Sequence, residues 1–432
     1  MDILFYTEVD NRELDAACLV KHEMERRGYK VKVQRYNRIC ESGNHTLYKP
    51  TMLILPWLYN DEFLFNFINN NNMGKLKIVN LQSEQILSEN FIKNNYHMPK
   101  ENCIYGHHLA WGQVTKERFI GAGIPEENII TIGNINIDFN SEKLINVYAD
   151  KEEIAKDFSL DFSKEWVLFI SSFTHPSMTE EERSSYLRRF PFLKDFIDIA
   201  TESQKTLIKW FERFVSDNPD KEFIYRPHPI ELKNDTLLKL AEKYSNFHVI
   251  SQLSIRQWVR VCEHNTTWFS TSIADVYYQK KDCAILRPLA IPRNADCELF
   301  YDCNAISDYD SFLNFIKRSG ESKFPIVAQQ FEKYYGTNEC GENYIIFCDQ
   351  LERILKSRST MPTINVKASF ISRIRRNSVS FIFYLNNIFN LSKLPFLKPN
   401  SHMSQQLKEK YNSHKRFVRY TSDLLRKLKD LI

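Results

Sequence analysis

The sequence predicts an α/β protein made of two doubly wound domains that face each other across a cleft, followed by a basic helical tail. Three observations carry this. Short apolar runs alternate with helix-period segments in two successive series. The chain has 432 residues, too many for one ordinary core. Its charge changes sign near the end: residues 351–432 hold 17 Lys+Arg and 4 Asp+Glu, whereas the rest hold 41 and 50.

The first series opens with an apolar strand at residues 3–6. A helix follows over residues 12–27, where Leu14, Cys18, Val20, Met24 and Arg27 recur at near-helical spacing, and Gly28 is placed to end it. Strands are expected at residues 30–33, 52–55 and 77–81. The second series begins near residue 164, with an apolar strand at 166–171 and a helix at 201–217. A strand at 222–225 runs into Arg226-Pro227-His228-Pro229. Then come a helix at 235–244, a strand at 248–250, a helix at 254–262, strands at 267–270 and 283–286 with a helix between them, and a helix at 341–357. Parallel strands joined by helices imply sheets covered on both faces. The domains are drawn as 1–150, 151–357 and a tail at 358–432, with the boundary of the first two inside residues 140–163.

In the tail, residues 378–391 are apolar and follow Arg373, Arg375 and Arg376. Met403, Leu407, Tyr411, Val418, Leu425 and Leu428 then recur at roughly helical spacing among many Lys and Arg. Such a helix suits an anionic membrane surface; the plainer reading is a helix packed on the body with a solvated basic face.

Composition narrows the class. Hydrophobic residues at 43% and charged residues at 26% fit a globular chain rather than a disordered one. The nine Cys include no pair at CxxC spacing, which removes the usual zinc pattern. An odd number of Cys and an opening apolar strand in place of a signal peptide point to the reducing cytoplasm. No Walker or GxGxxG motif and no His/Cys cluster is present, so neither a metal nor a bound cofactor is expected.

Open α/β sheets bind ligands beyond the carboxyl ends of their strands. Four turns stand there. In Arg226-Pro227-His228-Pro229 the prolines fix the backbone, so His228 can donate to a phosphate oxygen and Arg226 can add charge; a structural turn is the rival. Ser270-Thr271-Ser272 precedes a helix, where hydroxyls favour anions or act as plain caps, and Asp275 one turn on could accept ribose hydroxyls. Ser171-Ser172-Phe173-Thr174 offers hydroxyl and backbone contacts to a phosphate, with His175-Pro176 as a competing His-Pro pair. In the first domain Glu84, within Gln82-Ser83-Glu84-Gln85, could deprotonate an acceptor hydroxyl. Glu8 and Asp10 are its rivals, and a surface carboxylate is the plainer reading.

These residues carry a resemblance. Ile3-Leu4-Phe5, Arg12-Glu13-Leu14-Asp15 and Arg27-Gly28-Tyr29 resemble the start of bacterial surface-carbohydrate (capsule and lipopolysaccharide) biosynthesis proteins. So does the run Trp111-Gly112, Gly123-Ile124-Pro125, Ile129 to Asn134 and Asp138. Arg226-Pro227-His228-Pro229 and Ser270-Thr271-Ser272 resemble the His-Pro and Ser/Thr motifs of GT-B glycosyltransferases that use CMP-activated sugars, the polysialyltransferases and capsule Kdo transferases. CDP-glycerol phosphotransferases share a similar pattern. The likeness covers residues 1–350, and Ser83-Glu84-Gln85 stands where the family has an acidic-acidic-Gly motif.

The resemblance implies a GT-B fold of two Rossmann-like domains. It implies a nucleotide-sugar donor as substrate, a glycan or lipid-linked acceptor, and inversion without a metal. His228 would assist departure of the nucleotide, Ser270, Thr271 and Ser272 would hold its phosphate, and Glu84 would be the base. The tail (370–432) would hold the enzyme at the inner face of the cytoplasmic membrane, with no nucleic acid as partner. A CDP-alditol phosphotransferase, a sugar-nucleotide epimerase and a non-enzymatic nucleic-acid or scaffold protein are the alternatives.

Overall fold

The computed structural model describes residues 1–36, 49–68, 76–176, 178–231, 234–318, 323–338, 340–358, 370–394 and 401–432. The chain divides into two compact units. Unit 1 comprises residues 1–85, 97–138 and 335–432; unit 2 comprises residues 86–96 and 139–334.

Unit 1 holds a parallel sheet of β1 (Ile3–Thr7), β2 (Val31–Arg35), β3 (Met52–Leu55), β4 (Lys77–Asn80), β5 (His107–Ala110) and β6 (Ile129–Thr131), in the order β2-β1-β3-β4-β5-β6. β1 is buried throughout, as its unbroken apolar sequence requires of a strand covered on both faces. The chain leaves β1 for β2 on one side and returns to β3 on the other, so the topological switch lies between β1 and β3.

β5 and β6 were not anticipated. β5 opens with His107-His108, which does not read as a core strand. His108 is nevertheless fully buried, its Nδ1 3.1 Å from Asn80 Nδ2 and its Nε2 3.0 Å from Cys103 O. Burial lowers its pKa to about 3, so the ring is neutral.

Unit 2 holds β7 (Glu165–Ile170), β8 (Lys221–Arg226), β9 (Phe247–Val249), β10 (His264–Thr267), β11 (Cys283–Leu286) and β12 (Ala305–Ile306), again all parallel. Their order, β12-β11-β10-β7-β8-β9, is the Rossmann order, with the switch between β7 and β10. The helix Lys194–Asp217 lays Leu207, Phe211, Phe214 and Val215 on this sheet.

One strand sits differently from expectation: the strand expected at 267–270 ends at Thr267. Its buried positions are polar, and Thr266 and Thr267 satisfy their hydroxyls on Leu168 O and Ile170 O of β7, both at 2.9 Å. The apolar Trp268 that drew the expectation lies beyond the strand and stacks on Phe173 at 4.7 Å.

The tail is helical, as anticipated, and is part of unit 1. Helices Phe370–Phe389 and His402–Leu431 are pinned together by the buried Asn386, which donates to Leu407 O and accepts from Leu391 N. The second helix buries Leu407, Phe417, Leu424 and Leu428, while Met403 and Val418, expected on that face, are exposed. Among the described residues no helix is long and apolar enough to cross a membrane.

The Trp111-to-Asp138 run has a structural role in unit 1. Asp138 accepts from Gly341 N (3.0 Å), Asn343 Nδ2 (2.7 Å) and Tyr344 N (2.7 Å), so it satisfies the start of helix Asn343–Lys356. Gly133 has φ +94°, and a Cβ there would lie 2.3 Å from Asn343 Oδ1. Trp111 stacks on Tyr335 at 5.6 Å.

Candidate functional site

In unit 2, Arg226 of β8 and Thr267 of β10 both pair in register with Ile170 of β7. The loops that follow these three strands therefore begin at one level. The outer two are two strand spacings apart, about 9–10 Å. His228, Ser172 and Ser270 all lie within three residues of that level.

His228 is half-buried, and its Nδ1 accepts from Ile230 N at 3.4 Å. With Nδ1 as acceptor, the ring N–H is on Nε2, where the ring donates. Beneath it lies a carboxylate that the sequence reading missed. Glu231 accepts from Ser171 Oγ (2.6 Å), Tyr225 OH (2.7 Å) and His228 N (3.1 Å), tying the ends of β7 and β8 together. Burial raises its pKa, outweighing these hydrogen bonds. The signal available in the sequence was its position three residues after His228, where a carboxylate can cap a turn.

Ser171 is thus committed to Glu231 and Tyr225. Ser172 is not: its Oγ is buried and has no hydrogen-bond partner among the described residues. An orphan hydroxyl costs about 1–3 kcal/mol, which a bound ligand group would recover. Thr174 Oγ1 lies 3.1 Å from His175 Nδ1, and the His175 ring packs between Tyr186 and Phe196. Burial lowers the His175 pKa, so the competing His-Pro pair supplies a neutral packing imidazole.

Three of the residues expected to meet a ligand are engaged by groups of the protein itself. Arg226 is buried and its guanidinium donates to Ile250 O (3.2 Å), Gln252 O (2.7 Å) and Leu253 O, so it shapes the loop after β9. Burial lowers its pKa to about 10, which leaves it charged at neutral pH. Asp275 is buried against Arg256 at 3.1 Å and accepts from Asn140 Nδ2 at 2.9 Å, so its carboxylate is occupied. Ser270 closes a local turn, its N donating to Thr267 Oγ1 and its Oγ accepting from Ser272 N. The following helix, Ile273–Tyr278, has six residues and no side-chain cap, so little dipole is available there. Thr271 is exposed and Ser272 half-buried.

In unit 1, Glu84 is half-exposed and lies 2.9 Å from His97 Nε2 and 3.5 Å from Arg12. Burial pushes its pKa up, but His97 and Arg12 together hold it down at about 2. A carboxylate this acidic is a weak base at neutral pH. Asp10 is ion-paired to Arg35. Glu8 directly follows β1 and accepts from the Trp57 indole Nε1 at 2.8 Å, a neutral donor reaching across the β1/β3 switch. Glu84, the expected base, is thus held in an ion-paired cluster, while its rival Glu8 accepts from a neutral indole. His97 and Tyr59, joined at 2.8 Å, were missed because nothing local in the sequence marks them.

The class these features define is that of doubly wound α/β proteins built from two Rossmann-type units, the fold class expected from the sequence. No protein-family profile matches the chain, and no curated protein matches it. Among solved structures it is similar to a His-to-Ala variant of the wall teichoic acid polymerase TagF. That likeness has a TM-score of 0.51 at 9% identity, covering 82% of this chain and 89% of that one. It is also similar to the UDP-GlcNAc 2-epimerase from Neisseria meningitidis bound to UDP-GlcNAc, with a TM-score of 0.49 at 12% identity, covering 82% and 100%. A third likeness is to S. aureus MnaA with UDP, with a TM-score of 0.48 at 12% identity, covering 84% and 99%. At these identities the likeness is one of fold.

Proposed function

We propose that the chain is a glycosyltransferase that moves a sugar from a nucleotide-sugar donor to a surface polysaccharide or lipid-linked glycan. The observation that carries this is the edge of the unit 2 sheet, where His228 and the orphan hydroxyl of Ser172 begin from one level. The donor phosphate takes hydrogen bonds from Ser172, Thr174, Thr271 and Ser272. His228 Nε2 donates to the phosphate oxygen as negative charge develops on it. A carboxylate base accepts the proton of the acceptor hydroxyl, and Glu8 is the candidate for it. The acceptor oxygen bonds to the anomeric carbon as the bond from that carbon to phosphate breaks, which inverts the centre. Protein groups carry the developing charge, and a CMP-sugar is favoured by the motif resemblance.

The likeness to a wall teichoic acid polymerase supports a second reading, transfer of an alditol phosphate from a CDP-alditol. In that case the phosphorus is attacked and CMP leaves. A donor panel with product analysis separates the two: a glycoside product supports the first, a phosphodiester the second. His228→Ala should lower turnover by about 10²–10⁴ for either donor, the usual contribution of a positioned proton donor. Unchanged turnover in that variant would refute the site.

A further inference from the structure

Helix Phe370–Phe389 leaves a stripe of apolar side chains exposed in unit 1. Ile374, Phe381 and Ile388 are spaced by seven residues, and Ile382 and Phe389 run beside them, with Phe389 68% exposed. Seven residues are nearly two helical turns, so these side chains share one face over roughly 21 Å. A soluble helix normally buries such a face.

Ile388 also lines a cavity of about 490 Å³ between the edge strand β2 and the two tail helices. Its opposite wall carries Lys21, Lys32 and Arg35, with Lys21 paired to Glu25 and Arg35 to Asp10. Lys32 is exposed, and Arg35 sits between Asp10 and Ser413 with its guanidinium 5.3 Å from the Phe417 ring centroid. Lys21 donates to Val31 O at 2.9 Å, and burial together with the charges of Lys32 and Arg35 lowers the His414 pKa. Gln34 Oε1 is buried there without a hydrogen-bond partner among the described residues, an acceptor for a hydroxyl. Apolar side chains beside cations and one unmet acceptor match a lipid head group carrying phosphate and hydroxyl.

We propose that this face docks on an anionic phospholipid bilayer, with the stripe entering the interface and one lipid phosphate seated in the cavity beside Lys32 and Arg35. The charge of the last 82 residues, 17 Lys+Arg against 4 Asp+Glu, complements such a surface. This proposal is independent of the transfer reading, since none of its residues is placed in the transfer site.

The test is flotation of the full chain with vesicles of phosphatidylcholine alone or with added phosphatidylglycerol, without any donor. Binding is expected to the phosphatidylglycerol vesicles and to weaken as salt rises. Lys32→Glu changes the charge by two, and at about five-fold per surface charge it should lower binding roughly thirty-fold. The double variant Phe381→Ser with Phe389→Ser should lower it by at least about ten-fold. Both alter exposed positions, and an unchanged urea midpoint verifies their folding. Equal binding to neutral vesicles, or no loss in either variant, would overturn the proposal. So would a dimer in light scattering that the double variant dissolves, or RNA binding in place of vesicle binding.

Discussion

Replacing Glu231 by alanine tests whether its carboxylate organises the edge of the unit 2 sheet. The side chain accepts from Ser171 Oγ, Tyr225 OH and His228 N. Ser171 and Tyr225 also lie 2.8 Å apart, so in the variant one hydroxyl still finds the other. Two donors then lose their partner: one hydroxyl proton and the His228 N–H. At about 1–3 kcal/mol each, the expected loss is about 2–4 kcal/mol after part of the carboxylate's own burial cost is relieved. Glu231→Gln keeps an acceptor oxygen and should cost about 1 kcal/mol or less. Urea unfolding followed by tryptophan fluorescence reads this, because Trp166, Trp210, Trp258 and Trp268 all lie in unit 2.

The pH dependence has a definite sign. Burial raises the Glu231 pKa above its ordinary 4.5, so the unfolded chain loses the proton first. The stability of the wild type relative to Glu231→Gln is greatest below pH 4.5 and falls as pH rises through the folded value. If Glu231→Ala unfolds with the wild-type midpoint and binds nucleotide as the wild type does, the carboxylate does not organise the site.

Further outcomes follow from unit 1. Glu8→Gln should lower turnover by about a hundred-fold or more, while Glu84→Gln should lower it far less, because Glu84 is committed to His97 and Arg12; steady-state kinetics of both variants checks the order. Gly133→Ala should destabilise unit 1 by about 2–3 kcal/mol through the clash with Asn343 and the positive φ, read as a lowered denaturation midpoint. Asp138, raised by burial from 3.8 to about 7, contributes stability that is full below 3.8 and is lost as pH rises through 7. Asp138→Asn should flatten unit 1 unfolding over that window, and an unchanged pH profile would contradict the assignment.

Strands with four or more consecutive apolar residues, such as β1 and β3, were legible because a parallel strand is buried on both faces. β5 and β10 were not, because their polar residues are satisfied by partners far along the chain: His108 by Asn80 and Cys103, and Thr266 and Thr267 by carbonyls of β7. At the site, the placement of His228 was readable, since proline-flanked turns after strands have few conformations. The engagement of Arg226 and Asp275 was not. Charge alone marks them as ligand groups, and only the fold supplies the carbonyls of Ile250, Gln252 and Leu253 and the guanidinium of Arg256 that occupy them. Glu84 and Glu8 look alike in sequence, and only the fold sets His97 and Arg12 within ion-pair distance of the first and the Trp57 indole against the second.

Calorimetric titration of CMP, CDP and UDP into the wild type and Ser172→Val tests the central claim most directly. The account expects the wild type to bind at least one pyrimidine nucleotide. Ser172→Val, which removes the orphan hydroxyl and so should fold normally, should bind that nucleotide at least about ten-fold more weakly. Wild-type protein that binds none of the three, or a valine variant with undiminished affinity, would contradict it.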